Sequence, residues 1–147
     1  MKNKIQKFKL RIPSLTVNLQ IIREFVIKVA TKAGFNEENQ EQIALAVDEA
    51  CTNVIKHAHK YNSRKPIEIL LYIDSKKIKI IISDKGSGFD VSKVKDPDLK
   101  KYIKESRHSG LGIYLIKALM DDVKYAFKPG VRNTVEMIKY LHNPVKT

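Results

Sequence analysis

Four of the six glycines in this sequence bracket one long polar stretch. Gly86 and Gly88 stand in 84-DKGSGFD-90, directly after the apolar run 78-IKIIIS-83, and Gly110 and Gly112 stand in 107-RHSGLG-112. Bare backbone lets a ligand approach closely. A helix opening at the second pair also turns unpaired N–H groups and the positive end of its dipole toward an anion. Singly, each pair is a plain turn or a helix cap. Neither fits G-x-x-x-x-G-K-S/T or G-x-G-x-x-G, so P-loop and Rossmann phosphate chemistry are excluded.

A second set of polar groups lies in 48-DEACTNVIKHAH-59, where Glu49 and Asn53 stand at i and i+4 and share one helix face. An Asn carbonyl oxygen suits a hard cation such as Mg²⁺. A Glu carboxylate can take the proton from a hydroxyl or water that attacks a phosphate. That face lies off the apolar stripe through Val47, Cys51, Val54 and Ala58. It is a solvated polar face unless the long polar stretch covers it. His57 and His59 have no acidic or cysteine partners at ligand spacing, which disfavours zinc, and His57 fits a polar surface position. Cys51 fits a small core residue.

The elements that must position these residues follow from periodicity. Phe8, Leu10 and Ile12 alternate in a half-buried strand ended by Pro13. Helical spacing runs from about Leu15 to Ala33 and stops at Gly34, and Asn36 opens a second helix with Glu37 and Glu38 in its first turn. The runs 67-IEILLYI-73 and 77-KIKIIIS-83 are β-branched strands joined by a compact hairpin. Residues 85–109 form a connection long enough to be a functional lid or a disordered segment. A third helix is expected over 111–122, with Tyr114, Leu115 and Leu119 in the core and Asp121-Asp122 at its end. A final hairpin pairs 123–127 with 134–141 through a turn at Lys128-Pro129-Gly130. The order β-α-α-β-β-lid-α-β-β predicts an α+β, two-layer α/β sandwich: a mainly antiparallel mixed sheet with its helices on one face.

The chain of 147 residues has the size of one domain, taken here as 1–147 with the lid at about 85–109. Hydrophobic content of 43% with 30% charged residues fits a soluble globular protein, and no apolar run approaches the roughly 20 residues that span a bilayer. One cysteine and no signal-peptide pattern point to a cytoplasmic location. Lys and Arg outnumber Asp and Glu by 28 to 16, a net charge of +12 spread along the whole chain. With no Arg-rich arm and no aromatic-plus-basic motif, direct nucleic-acid binding is not expected, nor is membrane attachment. A Lys- and Ile-rich composition accounts for the excess.

Together these motifs resemble the Bergerat-fold ATPases of the gyrase, histidine kinase and MutL superfamily, and among them the anti-sigma factor serine/threonine kinases. Glu49 to Asn53 is similar to the family's Glu-x-x-x-Asn box, and Asp84-Lys85-Gly86-Ser87-Gly88 to its Asp-x-Gly-x-Gly box. Arg107-His108-Ser109-Gly110-Leu111-Gly112 is similar to its second glycine box. The resemblance implies ATP and Mg²⁺ as cofactors. It implies that Asp84 accepts from the adenine amino group while Gly86 and Gly88 make room for base and lid. Asn53 would bind the Mg²⁺ and Glu49 would activate a serine or threonine hydroxyl. Arg107 would stabilise charge near the γ-phosphate, with N–H groups of Ser109, Gly110, Leu111 and Gly112 around the phosphates and Thr134 near adenine. Arg132-Asn133 depart from the pattern, which commonly has a glycine before the threonine. The implied function is an anti-sigma factor that binds a sigma factor and phosphorylates an anti-sigma factor antagonist, as a homodimer. A nucleotide-binding interaction module without phosphotransfer is the alternative.

Overall fold

The structure is a computed structural model and describes residues 4–86, 107–128 and 130–142, with the backbone alone for 107–111. Gly88, Pro129 and the expected lid from residue 87 to residue 106 lie outside the described residues. Five strands form one sheet: β1 (Gln6–Pro13), β2 (Pro66–Ile73), β3 (Lys77–Asp84), β4 (Asp122–Lys128) and β5 (Arg132–Tyr140), in the order β1-β2-β3-β5-β4. Every pairing is antiparallel, so no parallel pair makes the sheet mixed among the described strands. The three helices are α1 (Leu19–Ala33), α2 (Glu37–Asn53) and α3 (Arg107–Leu119).

Alternation in the strands explains the two layers. Ile67, Ile69, Leu71 and Ile73 of β2 and Ile78, Ile80 and Ile82 of β3 are all buried on one face. The register carries that row across the sheet, with Ile69 opposite Ile82 and Ile82 opposite Val135. The apolar stripe of α2 joins the same core through Ile43, Val47, Ala50, Cys51, Val54 and Ile55. Cys51 is fully buried, and burial pushes its thiol pKa well up, so the side chain is core and not nucleophile.

Helix ends follow local chemistry. Gly34 closes α1 in the left-handed region at φ 105°, and the Asn36 side chain accepts from the Asn39 N–H at 2.8 Å to open α2. Arg23 of α1 donates to Asp48 of α2 at 2.9 Å and pins the two helices together. Lys139, turned inward on β5, donates to the Leu119 carbonyl at 2.6 Å, placing a cation on the C-terminus of α3.

Two boundaries differ from periodicity. α3 starts at Arg107 and ends at Leu119, so its first turn takes in residues expected in the lid and Asp122 begins β4. Tyr114, expected in the core, is 53% exposed, because the face of α3 that meets the core runs through Ile113, Ile116 and Met120. Replacing Asn36 with Ala is expected to cost about 1 kcal/mol through the lost cap; denaturant unfolding with an unchanged m-value checks this.

Candidate functional site

β3 ends in a carboxylate that the fold has to satisfy. Asp84 is 7% exposed, and its Oδ1 accepts from the Gly86 N–H at 2.8 Å and from Asn133 Nδ2 at 3.0 Å. Asn133 Nδ2 also donates to the Gly86 carbonyl at 3.0 Å, which takes a second bond from the Gly130 N–H at 2.9 Å. No described residue donates to Asp84 Oδ2. One oxygen is therefore held by the protein while the other remains an acceptor. Gly86 has to be glycine for room: a Cβ there would fall on the Ala58 carbonyl oxygen and within 2.9 Å of the His59 ring.

The chain reaches Ala58 and His59 through a π-helical turn, Val54–Ala58, directly after Asn53. The His59 N–H donates to the Val54 carbonyl at 2.7 Å, and Lys60 and Tyr61 then take left-handed φ angles of 49° and 63°. Such turns cluster at functional sites. This one ends the helix under the Gly86 segment.

A cavity opens between α2, α3 and the sheet, with about 430 Å³ of empty space including its mouth. Asp84, Asn53 and Thr134 all line it, and most of the rest of its wall is apolar, from Ala50, Val54, Ile82, Ile113, Ile116 and Val135. The Tyr125 hydroxyl at this wall is buried without a partner, and burial pushes its pKa up to about 12, so it stays protonated. The cavity suits a flat apolar ring that carries a donor for Asp84 and a polar atom for Tyr125, as a purine does.

Glu49 and Asn53 stand half-buried where α2 meets α3. A Cβ on Gly112 would lie 2.8 Å from Glu49 Oε2 and 3.7 Å from both amide atoms of Asn53. The last glycine of the second box thus provides the space in which the Glu49–Asn53 face sits. That face is half-buried against α3, a cover that periodicity did not offer, while the long polar stretch proposed to cover it lies outside the described residues from 87 to 106. Among the described residues no three of His, Cys, Asp and Glu converge on a metal position. A Mg²⁺ here would fit the usual pattern of one protein oxygen, from Asn53, with phosphate oxygens and waters.

The backbone of α3 from Arg107 is helical, so the N–H groups of residues 107–109 are without acceptors inside the helix. The side chains of Arg107, Ser109 and Leu111 lie outside the described residues, as does Gly88. Thr134 lines the cavity, but strand alternation gives the inward direction at this end of β5 to Asn133. Asn133 is the site residue that motif reasoning passed over. Its signal was a polar residue at an inward position of an otherwise apolar strand row.

Residues 12–139 match the family model described as histidine kinase-like ATPase domain. The chain is 38% identical to the serine-protein kinase RsbW of Staphylococcus aureus, over 96% of this chain and 91% of that protein. It is 32% identical to the serine-protein kinase RsbW of Bacillus mycoides, over 100% of this chain and 98% of that protein. In fold it is similar to the crystal structure of the RsbU and RsbW domains of a Mycobacterium tuberculosis protein, with a TM-score of 0.68 at 12% identity. That match covers 95% of this chain and spans a third (33%) of the solved one.

Asn133→Ala is expected to destabilise the protein by about 1–3 kcal/mol, since it leaves a buried carboxylate oxygen with a single donor. Denaturant unfolding checks the cost, and equal stability to wild type would remove the proposed hold on Asp84.

Proposed function

This chain belongs to the histidine kinase-like ATPase family, and on that premise we propose that it is an ATP-dependent serine/threonine protein kinase acting as an anti-sigma factor. In this reading it binds a sigma factor and phosphorylates an antagonist protein that would otherwise release it. The observation that carries the reading is the joint position of Glu49 and Asn53 against Gly112, next to the cavity that Asp84 closes. A base, a cation ligand and an adenine acceptor then stand in the order in which ATP presents a phosphate, a metal and a purine.

The adenine ring occupies the apolar cavity and its amino group donates to Asp84 Oδ2, with Asn133 keeping the carboxylate in place. The Asn53 carbonyl oxygen would hold Mg²⁺, which would supply charge neutralisation at the phosphates. Glu49 accepts the proton of a substrate serine or threonine hydroxyl as its oxygen bonds to the γ-phosphorus. The bond from that phosphorus to the β-bridging oxygen breaks, and ADP leaves with the electron pair. Arg107 would stabilise charge near the γ-phosphate, and the N–H groups of Ser109, Gly110, Leu111 and Gly112 belong to the helix start that would lie at the phosphates. Gly88 would make room for the base, and Thr134 would support the adenine end from the neighbouring strand position. A homodimer is part of the proposal. No helix among the described residues is long and apolar enough to cross a membrane; the cytoplasmic location is likewise proposed.

The test uses the full chain, labelled ATP, Mg²⁺ and candidate antagonist proteins, with label on a serine or threonine as the expected result. Glu49→Gln should keep ATP binding and lower phosphotransfer by about 10²–10⁴-fold. Asp84→Asn should weaken ATP binding by about tenfold or more, since the unsatisfied adenine contact costs roughly 1–3 kcal/mol. Unchanged transfer in the Glu49 variant would remove its role. ATP binding with no transfer to any acceptor would favour the interaction module.

A further inference from the structure

A second cavity lies at the Asp84 end of the sheet, on the face turned away from the helices. It has about 830 Å³ of empty space, open to solvent. Five cations ring it: Arg11 from β1, Arg64 and Lys65 from the segment before β2, Lys85 after β3, and Arg132 at the start of β5. All five are exposed. They come from four separate parts of the chain, so no run of charge in the sequence announces the cluster.

The charge is not cancelled locally. Two carboxylates share the lining, Glu68 and Asp84. Glu68 stands 3.4 Å from Lys9, outside the ring, and Asp84 Oδ1 is taken up by Gly86 and Asn133. Among the described residues none of the five cations pairs with a carboxylate. Arg132 is oriented by its own bond to the Ser83 hydroxyl, 3.2 Å away. A concave wall on which five cations outnumber two carboxylates draws in anions.

The inner wall carries a separate signal. His59 is buried, its Nδ1 lies 2.9 Å from the Ser14 hydroxyl, and its Nε2 is buried without a partner. Burial is the main cause that lowers the His59 pKa, with Asp84 opposing and Lys65 adding to it, so the ring is neutral at pH 7. The Ser14 hydroxyl serves Nδ1 as donor or as acceptor, according to which ring nitrogen carries the proton.

We propose that this cavity binds a small multivalent phosphate-type anion, either free or as the terminal group of a larger metabolite. The site is distinct from the one that holds the phosphates of ATP. Arg11, Arg64 and Arg132 would supply forked N–H donors, with Lys65 and Lys85 as point charges beside them. The five cations all line one cavity at one end of the sheet, which matches a compact anion better than an extended duplex or strand. The proposal does not depend on phosphotransfer by the other face.

The probe is inorganic pyrophosphate, titrated calorimetrically into the full chain at low salt without Mg²⁺. Wild type should bind it, and the Arg11→Gln/Arg64→Gln variant should bind about tenfold or more weakly. Asn53→Ala should bind it as wild type does, since Asn53 lies on the other side of the sheet. NMR titration of the His59 ring gives a second readout: pyrophosphate should raise its midpoint in wild type and not in the double variant. No binding at millimolar concentrations, equal affinity in the double variant, or loss in Asn53→Ala would overturn the proposal. Binding of an acidic peptide but not of pyrophosphate, or of either phosphorylated nucleosides or pyrophosphate only through Asn53, would overturn it as well.

Discussion

A carboxylate buried at the end of an apolar strand is the constraint on which the site depends. Left unpaired, Asp84 would carry a large desolvation cost. The fold meets it with the Gly86 N–H and the Asn133 amide, and both go to the same oxygen. This arrangement ties together the end of β3, the start of β5 and the Gly130 turn through one carbonyl, that of Gly86. The structural need and the availability of Oδ2 for a ligand thus have a common origin. A carboxylate satisfied on both oxygens would be stable and unable to bind.

α2 carries the complementary demand. One face is core, from Ile43 to Ile55, and the neighbouring face holds Glu49 and Asn53. Both faces are used because α3 crosses α2 at Gly112, where any larger residue would displace the Glu49 carboxylate. Immediately beyond Asn53 the helix widens into a π-turn, which brings Ala58 and His59 against Gly86. The two glycine segments therefore meet the same helix one after the other. Gly112 touches it before the π-turn and Gly86 after it, and the cavity lies between these contacts.

Much of the fold was legible because its causes are local. The Ile-rich alternation of β2 and β3, the Asn36 cap and the Gly34 stop each act within a few residues. Legibility failed where an element takes its bounds or partners from elsewhere. Tyr114 sits at helical spacing from apolar neighbours, yet the angle at which α3 meets the core leaves it exposed. The start of α3 at Arg107 could not be placed by apolar periodicity, because its first turn is Arg-His-Ser-Gly and carries no apolar residue. For His59 the sequence offered only the improbability of zinc, and the π-turn is what puts it under Gly86 beside Ser14.

By itself the sequence determined the order of elements, the apolar faces and the three boxes that hold the candidate chemistry. Each of these rests on residue types at short spacing, where periodicity and propensity operate. Tertiary structure alone decided how the boxes use one another. Asn133 reaches Asp84 across 49 residues of chain, and Gly112 makes room for Glu49 from another helix. The physical reason is that hydrogen-bond satisfaction and steric room are properties of neighbours in space. Strand register and helix crossing choose those neighbours, and neither is written in any one segment.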